Sequence, residues 1–196
     1  ATFDGVVGAS CALLATSLLL HAPGPLVIVC GTPDIADLVG DDLKMFAEGS
    51  PQRLPAWEAA VGERSVHDEV YGERLRTLKR LELWRDAHQL PGCAANGHPL
   101  LDRVIVSSVQ SLMQRVPQRQ VLAECTRRLA TGDVVDSEEL RAWLVGHQYH
   151  ATTAVQLPGE FAARGGIVDV FAADWDRPVR LELVGDQIES IRRFDL

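Results

Sequence analysis

Apolar and polar positions follow one rhythm in the first half of the chain and another in the second. Gly5-Val6-Val7-Gly8 reads as a tight turn, and Ala9–His21 as an apolar helix stopped by Pro23-Gly24-Pro25. Leu26–Cys30 is an unbroken aliphatic run, the pattern of a strand covered on both faces. Thr32-Pro33 then opens a helix, the threonine as cap and the proline at the first position, where it loses no needed hydrogen bond. Ile35, Leu38, Val39, Leu43 and Phe46 recur at helical spacing, and the helix is expected to end near Gly49. Arg53–Trp57 is a short strand candidate. Asp68–Gln89 predicts a long helix with Val70, Leu75, Leu78, Leu81 and Trp84 along its buried stripe. Residues 91–99 are loop by composition, Arg103–Val106 is another aliphatic strand, and Ser107 or Ser108 caps a short helix running to Val116.

The alternation of helix and strand implies a parallel sheet with helices on both faces. After Pro117 the rhythm changes. Val121–Leu129 reads as a strand, and Gly132-Asp133 as a turn. Asp136 or Ser137 caps a helix that has Glu138 and Glu139 in its first turn and turns Leu140, Trp143 and Leu144 inward. Tyr149–Gln156, Gly166–Phe171, Val179–Val184 and Gln187–Phe194 are strand candidates, the last two joined at Gly185-Asp186. Ile188 and Ile191 break strict alternation, which points to a bulge. The fold class is therefore α/β: a parallel-sheet domain over 1–116, followed by a small α+β domain with antiparallel hairpins over 117–196.

Composition narrows the function classes. The 196 residues are 46% hydrophobic and 23% charged, which excludes collagen-like and disordered chains. The longest apolar run, Cys11–Leu20, contains Thr16 and Ser17 and falls short of the ~18 residues of a membrane helix. Ala-Thr-Phe-Asp at the start lacks the basic region of a secretory leader, so a cytoplasmic protein without membrane contact is expected. Nineteen basic against twenty-seven acidic residues, net charge -8, argue against a general polyanion binder. Cys11, Cys30, Cys93 and Cys125 form no Cys-x-x-Cys pair and read as reduced, mostly buried residues.

A phosphate-binding loop needs a lysine for the phosphates and a hydroxyl for magnesium. Gly5 and Gly8 lead the turn, but Ser10 stands for the second glycine, Cys11 for the lysine and Ala12 for the hydroxyl residue. On the spacing alone an ordinary glycine turn is the better reading than a relic, because glycine-rich turns are common. Gly8–Ala12 is not a nucleophile elbow either, since Ala12 stands where that motif needs glycine. His147 and His150 lack further ligands at metal spacing, and Asp41-Asp42 and Glu138-Glu139 read as solvated helix faces. The last hairpin is more informative. Val179, Leu181 and Leu183 share one face, and Arg180, Glu182 and Val184 share the other, a mixture of apolar and charged positions such as protein interfaces carry. Arg164 stands before Gly165-Gly166, where a long cation can project.

Gly159-Glu160-Phe161-Ala162-Ala163-Arg164-Gly165-Gly166-Ile167-Val168-Asp169-Val170-Phe171, with Pro178–Glu182 and Asp186–Asp195, resembles the module shared by the excinuclease protein UvrB and the bacterial transcription-repair coupling factor. Leu54–Glu58 and Val109–Val116 extend the resemblance over nearly the whole chain. The altered phosphate loop and the short Trp57–Arg74 stretch, with Tyr71 as its lone tyrosine, favour the coupling factor. The resemblance implies that the first domain is a degenerate, RecA-like remnant of a phosphate-loop domain. It implies a non-catalytic docking module that binds the excinuclease protein UvrA and recruits nucleotide excision repair to a stalled RNA polymerase. Arg164, Arg180 and Val184 would make the contact, with Glu182 beside them; Val184 is smaller than the family's phenylalanine. The chain reads as an amino-terminal fragment of a parent whose ATP- and magnesium-dependent DNA translocase, and whose polymerase contacts, lie elsewhere. The alternative reading is an ATP-dependent DNA-acting enzyme or a damaged-DNA-binding module like UvrB.

Overall fold

The computed structural model describes residues 2–57, 69–88 and 99–196, with 86–88 as backbone alone. The predicted loop over 91–98, Cys93, His67 and His98 lie outside the described residues. Contacts divide the chain into two compact units, one drawn from Ala1–Ala60 and Arg76–Arg115, the other from Val61–Leu75 and Val116–Leu196.

The first unit is built on three parallel strands in the order β1-β3-β2, where β1 is Leu26–Cys30, β2 Gln52–Leu54 and β3 Val104–Ser108. Helix α1 (Ala9–Leu19) and helix α2 (Pro33–Leu43) bury Ala12, Ala15, Leu19 and Leu43 against Cys30, Val104 and Val106. The central strand β3 is buried at every position. β1 corrects the expectation of a strand covered on both faces: it is a sheet edge, and Val27 and Val29 are about half exposed. Its aliphatic run is continuous, yet only Leu26, Ile28 and Cys30 face the helices.

The caps follow the sequence. Thr32 Oγ1 accepts from the Ile35 amide at 3.4 Å, and Ser108 Oγ from Ser111 at 3.2 Å. Helix α2 stops at Leu43 rather than near Gly49, and Ile35 and Leu38 point to solvent. Strand β2 ends before Pro55, and the Gln114 side chain instead clasps the Trp57 backbone, its Oε1 accepting at 2.6 Å and its Nε2 donating at 3.1 Å. Arg103 lies in a 3-10 turn (Leu100–Arg103) ahead of β3 and donates to the carbonyls of Ala22 and Gly24, both at 3.0 Å.

Helix α3 (Glu69–His88) departs from its predicted stripe. Gly72, Arg74 and Thr77 are its buried residues, while Val70, Leu75, Leu78, Leu81 and Trp84 are half-buried. Gly72 is required by proximity, because a Cβ there would stand 2.1 Å from the Ala173 carbonyl oxygen.

The second unit contains a five-stranded sheet in the order β4-β5-β6-β7-β8: His150–Ala151, Glu160–Arg164, Ile167–Phe171, Val179–Val184 and Gln187–Arg193. β4 runs parallel to β5, and the other pairs are antiparallel. The strand expected over Val121–Leu129 is not formed. After helix α4 (Val109–Leu112), a helix, α5 (Arg119–Glu124), occupies its first part. Arg119, Gln120, Ala123 and Glu124 favour helix, and Val121 is exposed, so no sheet burial offsets that preference. The Tyr149–Gln156 strand shrinks to His150–Ala151.

Helix α6 (Ser137–Gly146) is capped by Asp136, whose Oδ1 accepts from Glu138 at 2.7 Å and Glu139 at 3.2 Å. It lays Leu140 and Leu144 on Phe161, Val168, Val170, Val179, Leu181, Leu183 and Ile188, with Trp143 and Ile191 at the margin of that core. Among the described residues no helix is long and apolar enough to cross a membrane. Cys30 is buried, but Cys11 is partly exposed and Cys125 exposed, which corrects the expectation of mostly buried thiols.

Candidate docking face

One face of the second sheet is closed by the α6 core; on the other, Ala162 and Phe171 are buried with Val155, and the remaining positions are left to present side chains. Register fixes which residues share it, because directly paired residues on adjacent strands point the same way. Ala162 pairs with Asp169, Asp169 with Arg180, and Arg180 with Arg192. The next row runs Arg164, Ile167, Glu182 and Ser190. A third joins Val184 to Gln187. The predicted set Arg164, Arg180, Glu182 and Val184 is thus brought onto one face, opposite Val179, Leu181 and Leu183, each no more than 8% exposed.

A bulge decides the last strand. Between Glu182 and Leu183 the register shifts, so that Ser190 faces Glu182 while Ile188 faces Leu183. Without it Ile191 would lie opposite Arg180 on the outer face. With it Ile191 turns into the core and Arg192 takes the outer position.

Two charges on the face are already engaged. The Arg180 guanidinium forks onto Asp169, Nε to Oδ1 at 2.6 Å and Nη2 to Oδ2 at 2.7 Å, and lies over the Phe194 ring, 5.0 Å from its centroid. The hydrogen bond to Asp169 raises the Arg180 pKa above its ordinary value. Asp169 is 14% exposed and Arg180 36% in their side chains. Glu182 accepts from Ser190 Oγ at 2.7 Å and pairs with Arg192. The Ser190 hydrogen bond first, and the Arg192 and Arg180 charges after it, hold its carboxyl below the usual range.

Arg164 is different. Its Nη2 donates to the Thr153 carbonyl at 2.6 Å, a neutral acceptor, and among the described residues no carboxylate pairs with it. It is exposed, as is Val184 at 65%. The arrangement offers a guanidinium unpaired with any described carboxylate beside apolar surface.

Asp169, Ile167, Arg192 and Phe194 are members that sequence reasoning missed. The signal for Asp169 was available in the period-two spacing of Ile167, Asp169 and Phe171. The bulge expected from Ile188 and Ile191 is present, and its position, which puts Arg192 on this face, comes only from the register.

The remaining candidates fall on other elements. Gly5 and Gly8 take positive φ, 77° and 58°, and Gly8 begins α1 without a side-chain cap. Cys11 Sγ contacts the Val6 carbonyl at 3.5 Å, Ala12 is wholly buried and Ser10 is exposed. The described residues show no strand entering this turn, as a phosphate loop requires, so the structure supports a mixed α/β fold without establishing the remnant. His147 Nδ1 sits 2.7 Å from the Trp143 carbonyl with its ring stacked on Trp143, and among the described residues no metal-ligand cluster forms. Asp41 is drawn into ion pairs with Lys44 at 3.0 Å and Arg53 at 3.1 Å, as a solvated helix face should be.

Residues 128–196, which carry the whole outer face, match the family model described as the UvrB interaction domain. This part of the chain belongs to that family. The UvrB interaction domain thus contains Arg164, Arg180, Glu182 and Val184, and the glycine turn lies outside it. Over 193 residues the chain is 37% identical to the transcription-repair-coupling factor of Mycobacterium tuberculosis, 28% to that of Escherichia coli and 26% to that of Bacillus subtilis. Each match covers 97% of this chain and 15% of the relative, so the chain spans about one seventh of the length of these proteins. These similarities place it beside a segment of transcription-repair-coupling factors.

Proposed function

We propose that the outer face of the UvrB interaction domain docks UvrA, and that the chain serves a coupling factor as a non-catalytic adaptor that brings excision repair to a stalled RNA polymerase. The observation that carries this reading is Arg164. A guanidinium that is exposed, held in place by one hydrogen bond to a carbonyl and unpaired with any described carboxylate keeps its charge and its other N–H donors for a partner carboxylate. Arg180 and Glu182, tied to Asp169, Ser190 and Arg192, hold the surrounding surface in one arrangement and present their remaining exposed edges. Val184 supplies the apolar contact.

In this reading the glycine turn is a degenerate phosphate loop without turnover. Cys11 brings no cation, and Ala12 is buried where a magnesium-holding hydroxyl would stand. ATP, magnesium, DNA and polymerase contacts belong to other parts of a cytoplasmic parent protein.

The test is a titration of this chain with purified UvrA. Arg164→Ala should weaken binding by about 1–3 kcal/mol, roughly 5- to 150-fold in Kd, as expected of a hydrogen-bonded charged anchor. Its unfolding should stay within about 0.5 kcal/mol of the unaltered chain, since the residue is exposed. An unchanged Kd would remove Arg164 from the site.

A further inference from the structure

Both tight hairpins of the second sheet turn at the same end. Gly165-Gly166 joins β5 to β6, Gly185-Asp186 joins β7 to β8, and Gly165 and Gly185 take positive φ of 57° and 61°. The outer-face residues beside those turns are Arg164, Ile167, Val184 and Gln187. A further segment reaches the same end. Val134 bridges Gln187 in antiparallel fashion, with the Val135 amide donating to Asp186 and the Ile188 amide to Asp133, at 2.6 and 2.9 Å. Pairing puts the Val134 side chain on the face of Gln187 and Val184.

The consequence is an apolar band. Val134 is 78% exposed, Val184 65% and Ile167 38%. Ile167 is directly opposite Glu182 and so diagonal to Val184, within side-chain reach, while Val134 and Val184 flank Gln187 in one row. Exposed aliphatics scattered singly are ordinary, but three gathered on one edge of a polar face beside an unpaired cation are not. The residues 132–135 also cover the turn end of the outer edge of β8: Gly132 donates to Ile188 at 2.8 Å. A partner therefore cannot add a strand beside the band and meets the face itself there.

We infer that Val134, Val184 and Ile167, with the Gln187 side chain tied back to the Gly132 carbonyl between them, form the apolar half of the docking site, and that the partner fills it with an aliphatic or aromatic side chain next to the carboxylate that meets Arg164. The inference rests on the docking reading above and adds to it the segment ahead of α6, together with the chemistry of the occupant. Charge complementarity sets the occupant: one unpaired guanidinium borders the band, while the acids of the face, Asp169 and Glu182, are neutralised by Arg180 and Arg192. An acidic residue beside an apolar one meets both features, and a basic segment meets neither.

The experiment measures the affinity of the full chain for UvrA in four variants. Val134→Asp should weaken binding at least about tenfold, because it buries a carboxylate against an apolar contact. Val134→Leu, which keeps the surface apolar, should stay within about twofold. Val145→Asp is the control, an exposed aliphatic on α6 and away from the outer face, and should change nothing. Arg164→Ala reports on the docking reading. Wild-type affinity in Val134→Asp, with loss in Arg164→Ala, overturns the apolar band and leaves the docking face intact. Wild-type affinity in both, or no binding by the unaltered chain, overturns the docking reading and the band with it. Equal losses in Val134→Asp and Val145→Asp assign the effect to added negative charge and also overturn the band.

Discussion

Replacing Arg180 should destabilise the second unit before it says anything about a partner. The guanidinium makes two hydrogen bonds to Asp169, at 2.6 and 2.7 Å, and that carboxylate is 14% exposed. Arg180→Ala leaves the carboxylate mostly shielded from water and without its fork. Hydrogen bonds to charged groups contribute about 1.5–3 kcal/mol, and the 36% exposure of Arg180 places this pair toward the lower end. Loss of the Phe194 contact adds about 0.5–1 kcal/mol. The expected total is about 2–3 kcal/mol for Arg180→Ala and about 1–2 for Asp169→Ala, which orphans a better-solvated cation. Their double mutant should fall short of the sum by about 1–2 kcal/mol. Native-state amide exchange of β6 and β7 is the suitable assay, since it reads the stability of this unit even if the two units unfold separately. Arg180→Lys should lose most of the coupling, because an ammonium cannot match both carboxylate oxygens. A coupling below about 0.5 kcal/mol would refute the claim that this pair holds the face in register.

Two further perturbations test the second unit away from its outer face. Gly72→Ala places a methyl group 2.1 Å from the Ala173 carbonyl oxygen, a backbone atom that cannot swing aside; unfolding should become easier by about 1–3 kcal/mol, and an unchanged urea midpoint would contradict the packing. Tyr149 has its pKa pushed up to about 12, chiefly by burial and then by Asp174 and Tyr71. The folded state therefore holds the phenol proton more tightly than the unfolded chain does. This contribution is complete below pH ~10 and is lost as pH climbs from there to about 12, so Tyr149→Phe should flatten the fall in thermal midpoint over that window. Parallel midpoint curves for the two proteins would show that the phenol carries no such linkage.

Period, caps and turns are local properties, and they were legible. Thr32-Pro33, Ser108 and Asp136 announce their helices because a short polar side chain meets free amides at a helix start. Gly165-Gly166 reads only as a turn, since the strand before it, Glu160–Arg164, is not among the strand candidates, whereas Gly185-Asp186 announces its hairpin because a two-residue turn needs positive φ. With period-two spacing, the second of these turns suffices to set Arg180, Glu182 and Val184 apart from Val179, Leu181 and Leu183. Burial was less legible wherever it depended on neighbours. Leu26–Cys30 reads as a covered strand, yet β1 has a partner on one side, and nothing in its own residues records that. Val121–Leu129 reads as a strand, but no sheet edge takes it up, and helix propensity prevails over its first half.

By itself, then, the chain of residues determined the two rhythms, the capped starts, the hairpin turns and the identity of the charged strand face, all of which follow from chemistry within a few positions. Only the tertiary structure decided which of those charges remain available. The bulge after Glu182 carries Arg192 out and Ile191 in, the β6–β7 register sets Asp169 under Arg180, and the bridge at Val134 brings a distant valine beside Val184. The spacing of Ile188 and Ile191 announces a bulge, but where it falls, like the other two pairings, is fixed between strands by which apolar side chains fill the α6 core.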